Sequence, residues 1–191
     1  MNTVISVGNS KLGKIPNVSL LPALACHNVP CKKECYAHKF TLIWPNVAKA
    51  WHSNYMLASK NRTEYFADII KYLRKHEPKV FRWHTAGDIL DQNYLSMMYV
   101  IARCFPETKF LAFTKKHGLN FSNKPKNIAI VFSMWKDWGN TRKPFPRAWM
   151  LDKKNPDTRI PKNVKHCKND CSKCFLCWNL KKDQSIVFEK H

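Results

Sequence analysis

The stretch Lys79-Val-Phe-Arg-Trp-His84, followed by Thr85-Ala-Gly-Asp88, decides the fold of this chain. Its apolar and aromatic residues lead into a glycine, which predicts a β-strand that ends in a turn. A helix follows, with Asp91 as its candidate N-cap. Two more apolar runs, over residues 109–114 and 127–133, predict further strands. Strand, helix and strand at this spacing form a βαβ unit, so the sheet should be largely parallel.

Helices and a long basic segment flank this unit. Apolar residues recur at helical spacing over residues 45–60 and 63–76, which predicts two amphipathic helices. Residues 136–166 are rich in Pro, Lys, Arg and Asn without a clear period, which predicts an irregular arm. We expect one compact α/β unit with its core over residues 1–135. The basic arm and a cysteine-rich segment would complete it over residues 136–191.

Composition restricts the class of protein. The chain has 191 residues, of which 45% are hydrophobic, so a core can form and an intrinsically disordered basic tail is excluded. No apolar run reaches the roughly 18 residues that a membrane-spanning helix needs. The first residues also lack the basic start and apolar stretch of a signal peptide. We therefore expect a cytoplasmic protein.

The eight cysteines fall into two groups and one isolated residue. In a reducing compartment they are expected to be metal ligands or catalytic thiols rather than disulfides. The first group is Cys26, Cys31 and Cys35. Three thiolates leave one position open on a [4Fe–4S] cluster, whereas a closed zinc site would take His27 or His38 as its fourth ligand.

The second group places four cysteines within eleven residues, at Cys167, Cys171, Cys174 and Cys177. Such a tight run resembles those that hold iron–sulfur clusters, with zinc and redox thiols as the alternatives. The isolated Cys104 lies on the apolar side of a predicted helix, so we expect it to be a small core residue. The spacing thus favours two metal centres at opposite ends of the chain.

Ligands of parallel sheets bind beyond the carboxyl ends of the strands. The residues at those ends are His84, Gly87, Asp88, Thr114, Lys115, Ser133 and Trp135. Asp88 has two possible roles, because a carboxylate at this position either caps the following turn or points into the mouth of the sheet. The same choice applies to His84, which is either an ordinary hydrogen-bonded polar residue or part of a site.

Several of these motifs together resemble the bacteriophage "gene product 88" family. The motifs are Gly8-Asn-Ser-Lys-Leu-Gly13, Ser19-Leu-Leu-Pro22, Cys35-Tyr36-Ala37, His84-Thr-Ala-Gly-Asp88, Phe113-Thr-Lys115 and Cys177-Trp178, and the resemblance covers about residues 6–178. This resemblance implies a phage origin, and hence the cytoplasm of an infected host, more than it implies an activity.

The cysteines are also similar, more distantly, to those of radical S-adenosylmethionine proteins. There, three cysteines after the first strand bind a [4Fe–4S] cluster, and an aromatic residue follows the third. Cys35-Tyr36 matches that ending, although the spacing here is C-x4-C-x3-C instead of C-x3-C-x2-C. The similarity implies a partial (β/α) TIM-like barrel and S-adenosylmethionine at the open iron. It also implies an auxiliary cluster on the last four cysteines.

This similarity further implies roles for the residues at the strand ends. Asp88 would meet the amino group of S-adenosylmethionine. The implied catalytic residues are Asp88, His84 and Lys115. The implied cofactor-binding residues are Tyr36, Gly87, Asp88, Thr114 and Ser133.

The charge of the chain supports a different function. There are 33 Lys and Arg residues against 13 Asp and Glu, which gives a net charge of +20. Lysines and arginines interleaved with Trp and Tyr attract phosphate and allow base stacking, so nucleic acid is an expected partner or substrate. The alternative to an enzyme is therefore a metal-stabilised protein that binds DNA or RNA, or that occupies a host complex, with the metal sites purely structural. The sequence leaves the oligomeric state open.

Overall fold

The computed structural model describes residues 2–139 and 142–190. The strands are β1 (Ile5–Ser6), β2 (Asn17–Val18), β3 (Val80–Trp83), β4 (Lys109–Thr114), β5 (Ile128–Ser133), β6 (Arg147–Leu151), β7 (Lys165–His166) and β8 (Ser185–Glu189). The α-helices are α1 (Pro22–Ala25), α2 (Tyr36–Ile43), α3 (Pro45–Lys60), α4 (Arg62–His76), α5 (Gln92–Cys104) and α6 (Cys171–Cys174). Two 3₁₀ helices cover Pro30–Glu34 and Leu176–Asn179.

All eight strands belong to one sheet with the order β1-β2-β3-β4-β5-β6-β8-β7. Among the strands of the described residues, β1 and β2 pair in antiparallel fashion, and every other neighbouring pair is parallel. The predicted α/β fold with a largely parallel sheet is therefore confirmed. Within the described residues, β1 and β7 each have a neighbour on one side alone, so closure into a barrel is not seen.

The two predicted helices before β3 form where their apolar periodicity and end residues favour them. The interval 45–60 is α3, and α4 begins one residue earlier than predicted. Asn61 caps α4, because its side chain accepts a hydrogen bond from the Glu64 amide and donates one to the Glu64 carboxylate. Basic residues fill the last turn of α4, where they complement the helix dipole.

The predicted irregular arm differs from the structure. It contains β6, which pairs with β5 and β8, and it ends in β7. Five residues are too short for an alternating pattern to stand out, and β6 is formed by two neighbouring strands that are distant in sequence. Residues 140–141 of this arm lie outside the described residues.

The expectation that Cys104 fills the core is wrong, because its side chain is exposed at the end of α5. The apolar face of α5 carries Tyr94, Met98 and Ile101, all fully buried. At 3.6 residues per turn, Cys104 lies about 90° from the middle of that face. Cys104 therefore lies beside the apolar face of α5 and not on it, although apolar residues lie close to it in sequence.

The two faces of the sheet are covered differently. Phe110 and Ala112 of β4 pack with the aromatic residues of α4 and α5 in one core cluster. Leu111, which lies between them, packs instead with Cys171 and Trp178 in a second cluster. Because successive strand residues point to opposite faces, the helices cover one face and the cysteine-rich segment covers the other. None of the helices in the described part of the chain has the length and apolarity to span a bilayer.

Candidate functional site

The first cysteine group lies on the connection that follows β2. Cys26 ends α1, Cys31 belongs to the 3₁₀ helix Pro30–Glu34, and Cys35 immediately precedes α2. All three are free, partly buried thiols. Since β2 runs parallel to β3, this connection starts at the carboxyl edge of the sheet, where the sequence predicted a site.

Electrostatic effects show which groups surround these thiols. Burial raises the pKa of Cys26 to about 12, with the Asp88 carboxylate raising it further and the Lys115 ammonium opposing both. Burial also raises the pKa of Cys31, and the nearby Lys115 ammonium opposes that effect. Asp88 and Lys115 thus lie near Cys26, and Lys115 also lies near Cys31. Burial disfavours the thiolate form of these cysteines, so a nearby cation is required to stabilise that form.

Asp88 ties the end of β3 to the end of β4. Its Oδ2 accepts a hydrogen bond from the Lys115 amide at 2.8 Å, and its Oδ1 accepts one from the Ile89 amide at 2.7 Å. Burial raises the pKa of the Asp88 carboxyl, against the hydrogen bonds from Lys115, Thr114 and Ile89, which lower it. The capping role weighed in the sequence analysis is therefore present, and it coexists with a position beside the thiols.

Gly87 allows the loop after β3 to approach β2 closely. Its φ is +83°, and a Cβ atom there would lie 2.8 Å from the Leu20 carbonyl oxygen. The two loops are joined by a hydrogen bond of 3.0 Å from the Leu20 amide to the Ala86 carbonyl. The hydroxyls of Ser19 and Thr85 lie 2.6 Å apart and add a second link. Glycine is required here because other residues rarely adopt this backbone conformation.

Tyr36 connects the first cysteine group to the same loop. Its hydroxyl donates a hydrogen bond to the Thr85 carbonyl at 2.9 Å. Partial desolvation raises the pKa of Tyr36, against the effect of Arg82. The ring itself remains half exposed. The aromatic residue after the third cysteine is thereby fixed at the carboxyl edge of the sheet.

His84 lies in the core on the helical side of the sheet. Its Nε2 is 2.9 Å from the Tyr94 hydroxyl, which is itself 2.7 Å from the Tyr65 hydroxyl. Burial lowers the pKa of His84 to about 3, and the nearby cations Arg82 and Lys116 lower it further. The imidazole is therefore neutral at physiological pH and packs with tyrosines, whereas Asp88 and Lys115 lie beside the thiols.

The remaining predicted residues extend along the same edge. Thr114 ends β4 and is buried, with its hydroxyl accepting a hydrogen bond of 2.9 Å from the Lys116 amide. Ser133 ends β5, the next strand, and is paired there with Ala148 of β6. Trp135 follows, and its carbonyl accepts a hydrogen bond from the Arg159 guanidinium. These residues continue the edge away from the first cysteine group.

The second cysteine group surrounds one small pocket on the opposite face from the helices. Its four members, Cys167, Cys171, Cys174 and Cys177, all line this pocket. Burial raises the pKa of Cys177 to about 12, with the guanidinium of Arg82 opposing that effect. The Cys171 amide donates a hydrogen bond of 2.9 Å to the Lys11 carbonyl, which anchors α6 to the loop after β1.

Arg82 is a residue that the sequence analysis missed. It lies on β3 with its guanidinium carbon 4.3 Å from the centre of the Phe113 ring. Burial lowers the pKa of Arg82, while Tyr36 and Cys177 favour its charged form. Arg82 therefore lies near Tyr36 and the second cysteine group. The sequence does contain a signal for Arg82, which stands between two aromatic residues of a predicted strand. Since successive strand residues point to opposite faces, Arg82 must lie on the face opposite to these aromatic side chains.

The thiols are not gathered around a single point. Among residues 2–139 and 142–190, no three or more His, Cys, Asp or Glu side chains are arranged to hold one metal ion. The structure thus brings the cysteines into two neighbourhoods without forming the compact ligand set of a mononuclear site.

Comparison with known proteins identifies the family. The "Gene 88 protein" of Mycobacterium phage D29 is 28% identical over 143 residues, and the match covers 66% of this chain. The match spans 59% of the length of that relative. No solved structure matches the chain. The similarity to radical S-adenosylmethionine proteins is outside these matches and stays a prediction. A family model described as "Gene product 88" matches residues 3–180, and the chain therefore belongs to the gene product 88 family.

Proposed function

We propose that this protein is an iron–sulfur protein of radical S-adenosylmethionine type, built on a partial (β/α) barrel. The observation that supports this most is the meeting of Cys26, Asp88 and Lys115 at the carboxyl ends of β2, β3 and β4. A cysteine group that shares its surroundings with one carboxylate and one ammonium could bind both a cluster and a zwitterionic ligand. The amino and carboxylate groups of S-adenosylmethionine are such a pair.

The donor set fits an iron–sulfur cluster in its chemistry. Thiolates are the usual ligands of these clusters, and each one binds a separate iron. Cluster ligands therefore surround a common volume and need not converge on one point, unlike the four ligands of a zinc ion. A group of separated thiols beside Lys115 is compatible with this requirement. Metal binding would release the thiol protons that burial now retains.

Each residue of the first site has a proposed role. Cys26, Cys31 and Cys35 would hold a [4Fe–4S] cluster, whose chemistry, given an external one-electron donor, is reductive cleavage of S-adenosylmethionine. Asp88, already held by two backbone amides, would accept a hydrogen bond from the ligand's amino group. The Lys115 ammonium would balance thiolate charge or bind the ligand's carboxylate.

The surrounding residues would position this ligand. Gly87 keeps the loop close to the sheet, and the ring of Tyr36 would cover one side of the ligand. Thr114 and Ser133 would line the wall that continues along β4 and β5. His84 would act through Tyr94 as a positioning residue, since its imidazole lies in the core.

The second cysteine group would hold an auxiliary cluster, or a zinc ion as the alternative. Its four thiols line one pocket, and Arg82 would balance part of their negative charge. A purely structural role fits the position of this segment, because Cys171, Cys177 and Trp178 cover one face of the sheet.

Metal and sulfide analysis of protein purified without oxygen tests this proposal. The wild-type protein should contain iron and acid-labile sulfide and show the broad visible absorbance of a cluster. Cys31→Ala should remove the part of that absorbance due to the first cluster and abolish binding of S-adenosylmethionine in equilibrium dialysis. The matched control is Cys104→Ala, which changes an exposed thiol outside both groups and should leave iron content unchanged. Stoichiometric zinc without sulfide would refute the proposal.

Binding of nucleic acid is a second candidate function, favoured by the charge of the chain. A net charge of +20 on 191 residues exceeds what solubility requires. This function is compatible with the first, because a radical enzyme could act on a nucleic acid. Affinity for an oligonucleotide should then fall steeply with added salt, since each neutralised phosphate releases counterions.

A further inference from the structure

Helix α2 carries an unusual row of exposed apolar side chains. The exposed fractions are 46% for Phe40, 74% for Leu42, 64% for Ile43 and 56% for Trp44, which ends the helix. Within α2 only Ala37 is buried. Four large apolar side chains exposed within five residues cost free energy in water, which points to a surface that binds something.

Tyr36, which is 51% exposed, extends this row to the first residue of the helix. Phe40 lies four residues, or about one turn, after Tyr36, and Trp44 follows the last helical residue as the C-cap. The rings of Tyr36 and Phe40 pack edge to face with their centres 6.1 Å apart. The Tyr36 hydroxyl is held by the Thr85 carbonyl, so the row starts at a fixed point.

The segment that contains this row is strongly positive. Residues 26–63 contain six Lys and Arg residues and a single acidic residue, Glu34. The Glu34 carboxylate is paired with the Lys190 ammonium at 2.6 Å. Lys32, Lys33 and Lys39 are exposed next to the aromatic row. A ligand of this surface must therefore combine negative charge with flat apolar groups.

We propose that α2 and the preceding 3₁₀ helix bind single-stranded nucleic acid, with bases stacked on Phe40 and Trp44 and phosphates near Lys32 and Lys33. This proposal rests on the second candidate function and places it on a defined surface. Single strands are favoured because their base faces are free, whereas a duplex hides those faces in its own stack. The combination of aromatic rings with lysines is typical of such surfaces.

The position of this surface links it to the candidate site. The row begins at Tyr36, directly after Cys35, and Tyr36 is bonded to the loop that contains Asp88. A nucleic-acid single strand that lies along α2 toward Tyr36 would thus reach the carboxyl edge of the β-sheet. The substrate class proposed for the first cysteine group is accordingly a nucleotide within a single strand.

Fluorescence anisotropy with a labelled oligothymidine tests the aromatic contacts. Phe40→Ala and Trp44→Ala should each weaken binding roughly tenfold, the loss expected for one stacked base. Val100→Ala, which shortens an exposed apolar side chain on α5, is the matched control and should bind like the wild type. The wild type should also bind the single strand more tightly than a duplex containing the same strand.

Salt dependence tests the lysine contacts. The double variant Lys32→Gln/Lys33→Gln should reduce the slope of log affinity against log salt by about 1.4, at about 0.7 per phosphate contact in single strands. Lys71→Gln/Lys75→Gln removes the same charge from the exposed surface of α4 and should leave the slope unchanged. Circular dichroism of every variant should show that the fold is retained.

The outcomes separate this proposal from those above. Binding that survives in both aromatic variants would overturn the location on α2, even if nucleic acid binds elsewhere. Absence of any oligonucleotide binding would overturn both the location and the second candidate function. Loss of binding to phosphatidylglycerol vesicles in the aromatic variants, with oligothymidine affinity unchanged, would assign the surface to an anionic membrane instead. Iron and sulfide content should be unaffected throughout, so the iron–sulfur proposal stands or falls separately.

Discussion

At the scale of single residues, His84 makes stability depend on pH. Its folded-state pKa of about 3 lies far below the usual value of 6.5, because the ring is buried beside Tyr94. Between these two values the unfolded chain binds more protons than the folded one, so stability falls as the pH falls. From pH 7 to pH 5, His84 alone should lower the free energy of unfolding by about 2 kcal/mol.

Urea unfolding of wild type and His84→Asn at both pH values checks this expectation. Asn tolerates the positive φ of 52° at this position, so the variant keeps the backbone conformation. On acidification, the free energy of unfolding of the variant should fall by about 2 kcal/mol less than that of the wild type. The contributions of His117 and of the carboxylates are the same in both proteins and therefore drop out of this difference. An NMR titration that places the pKa of His84 near 6.5 would contradict the account.

At the scale of elements, the turn after β3 depends on its glycine. Gly87→Ala places a methyl group 2.8 Å from the Leu20 carbonyl oxygen at a φ of +83°. We expect it to destabilise the protein by about 1–3 kcal/mol. The control is Gly118→Ala, where an added Cβ meets nothing within 4 Å. Thermal unfolding should show a lower midpoint for the first variant and little change for the second, whereas equal midpoints would refute the steric argument.

Elements were predictable from the sequence where their signals were local. The intervals of α3, α4 and β4 follow from apolar periodicity, and the Asp91 cap of α5 follows from its position before an apolar helix. Strand β6 could not be predicted in this way, because its partners β5 and β8 lie far away in sequence. The closeness of Asp88 and Lys115 could be predicted, because neighbouring parallel strands end at the same edge of the sheet. The position of His84 in the core could not, because it depends on packing against Tyr94, which is part of the following helix.

At the scale of the whole molecule, β8 is an interior strand that is buried on both faces. Ile186 packs with the cysteine-rich segment, and Val187 packs with the helical core. Ile186→Ala should therefore lower the free energy of unfolding by about 2–4 kcal/mol, the cost of a cavity at a site that cannot collapse. Val7→Ala, at a side chain 54% exposed, should cost less than about 0.5 kcal/mol. Similar costs in urea unfolding would show that β8 is not an interior strand.

The position of β8 between β6 and β7 also has a consequence for the order of folding. Residues 147–166 supply both neighbours of a strand that is synthesised after them. During translation, the backbone groups of β6 and β7 that pair with β8 therefore stay unpaired until residues 185–189 leave the ribosome. The helical half, with β2 to β5, can assemble earlier because all of its strands precede residue 134. The chain is thus expected to fold in two stages, with the pairing of β8 with β6 and β7 as the late step that completes the sheet.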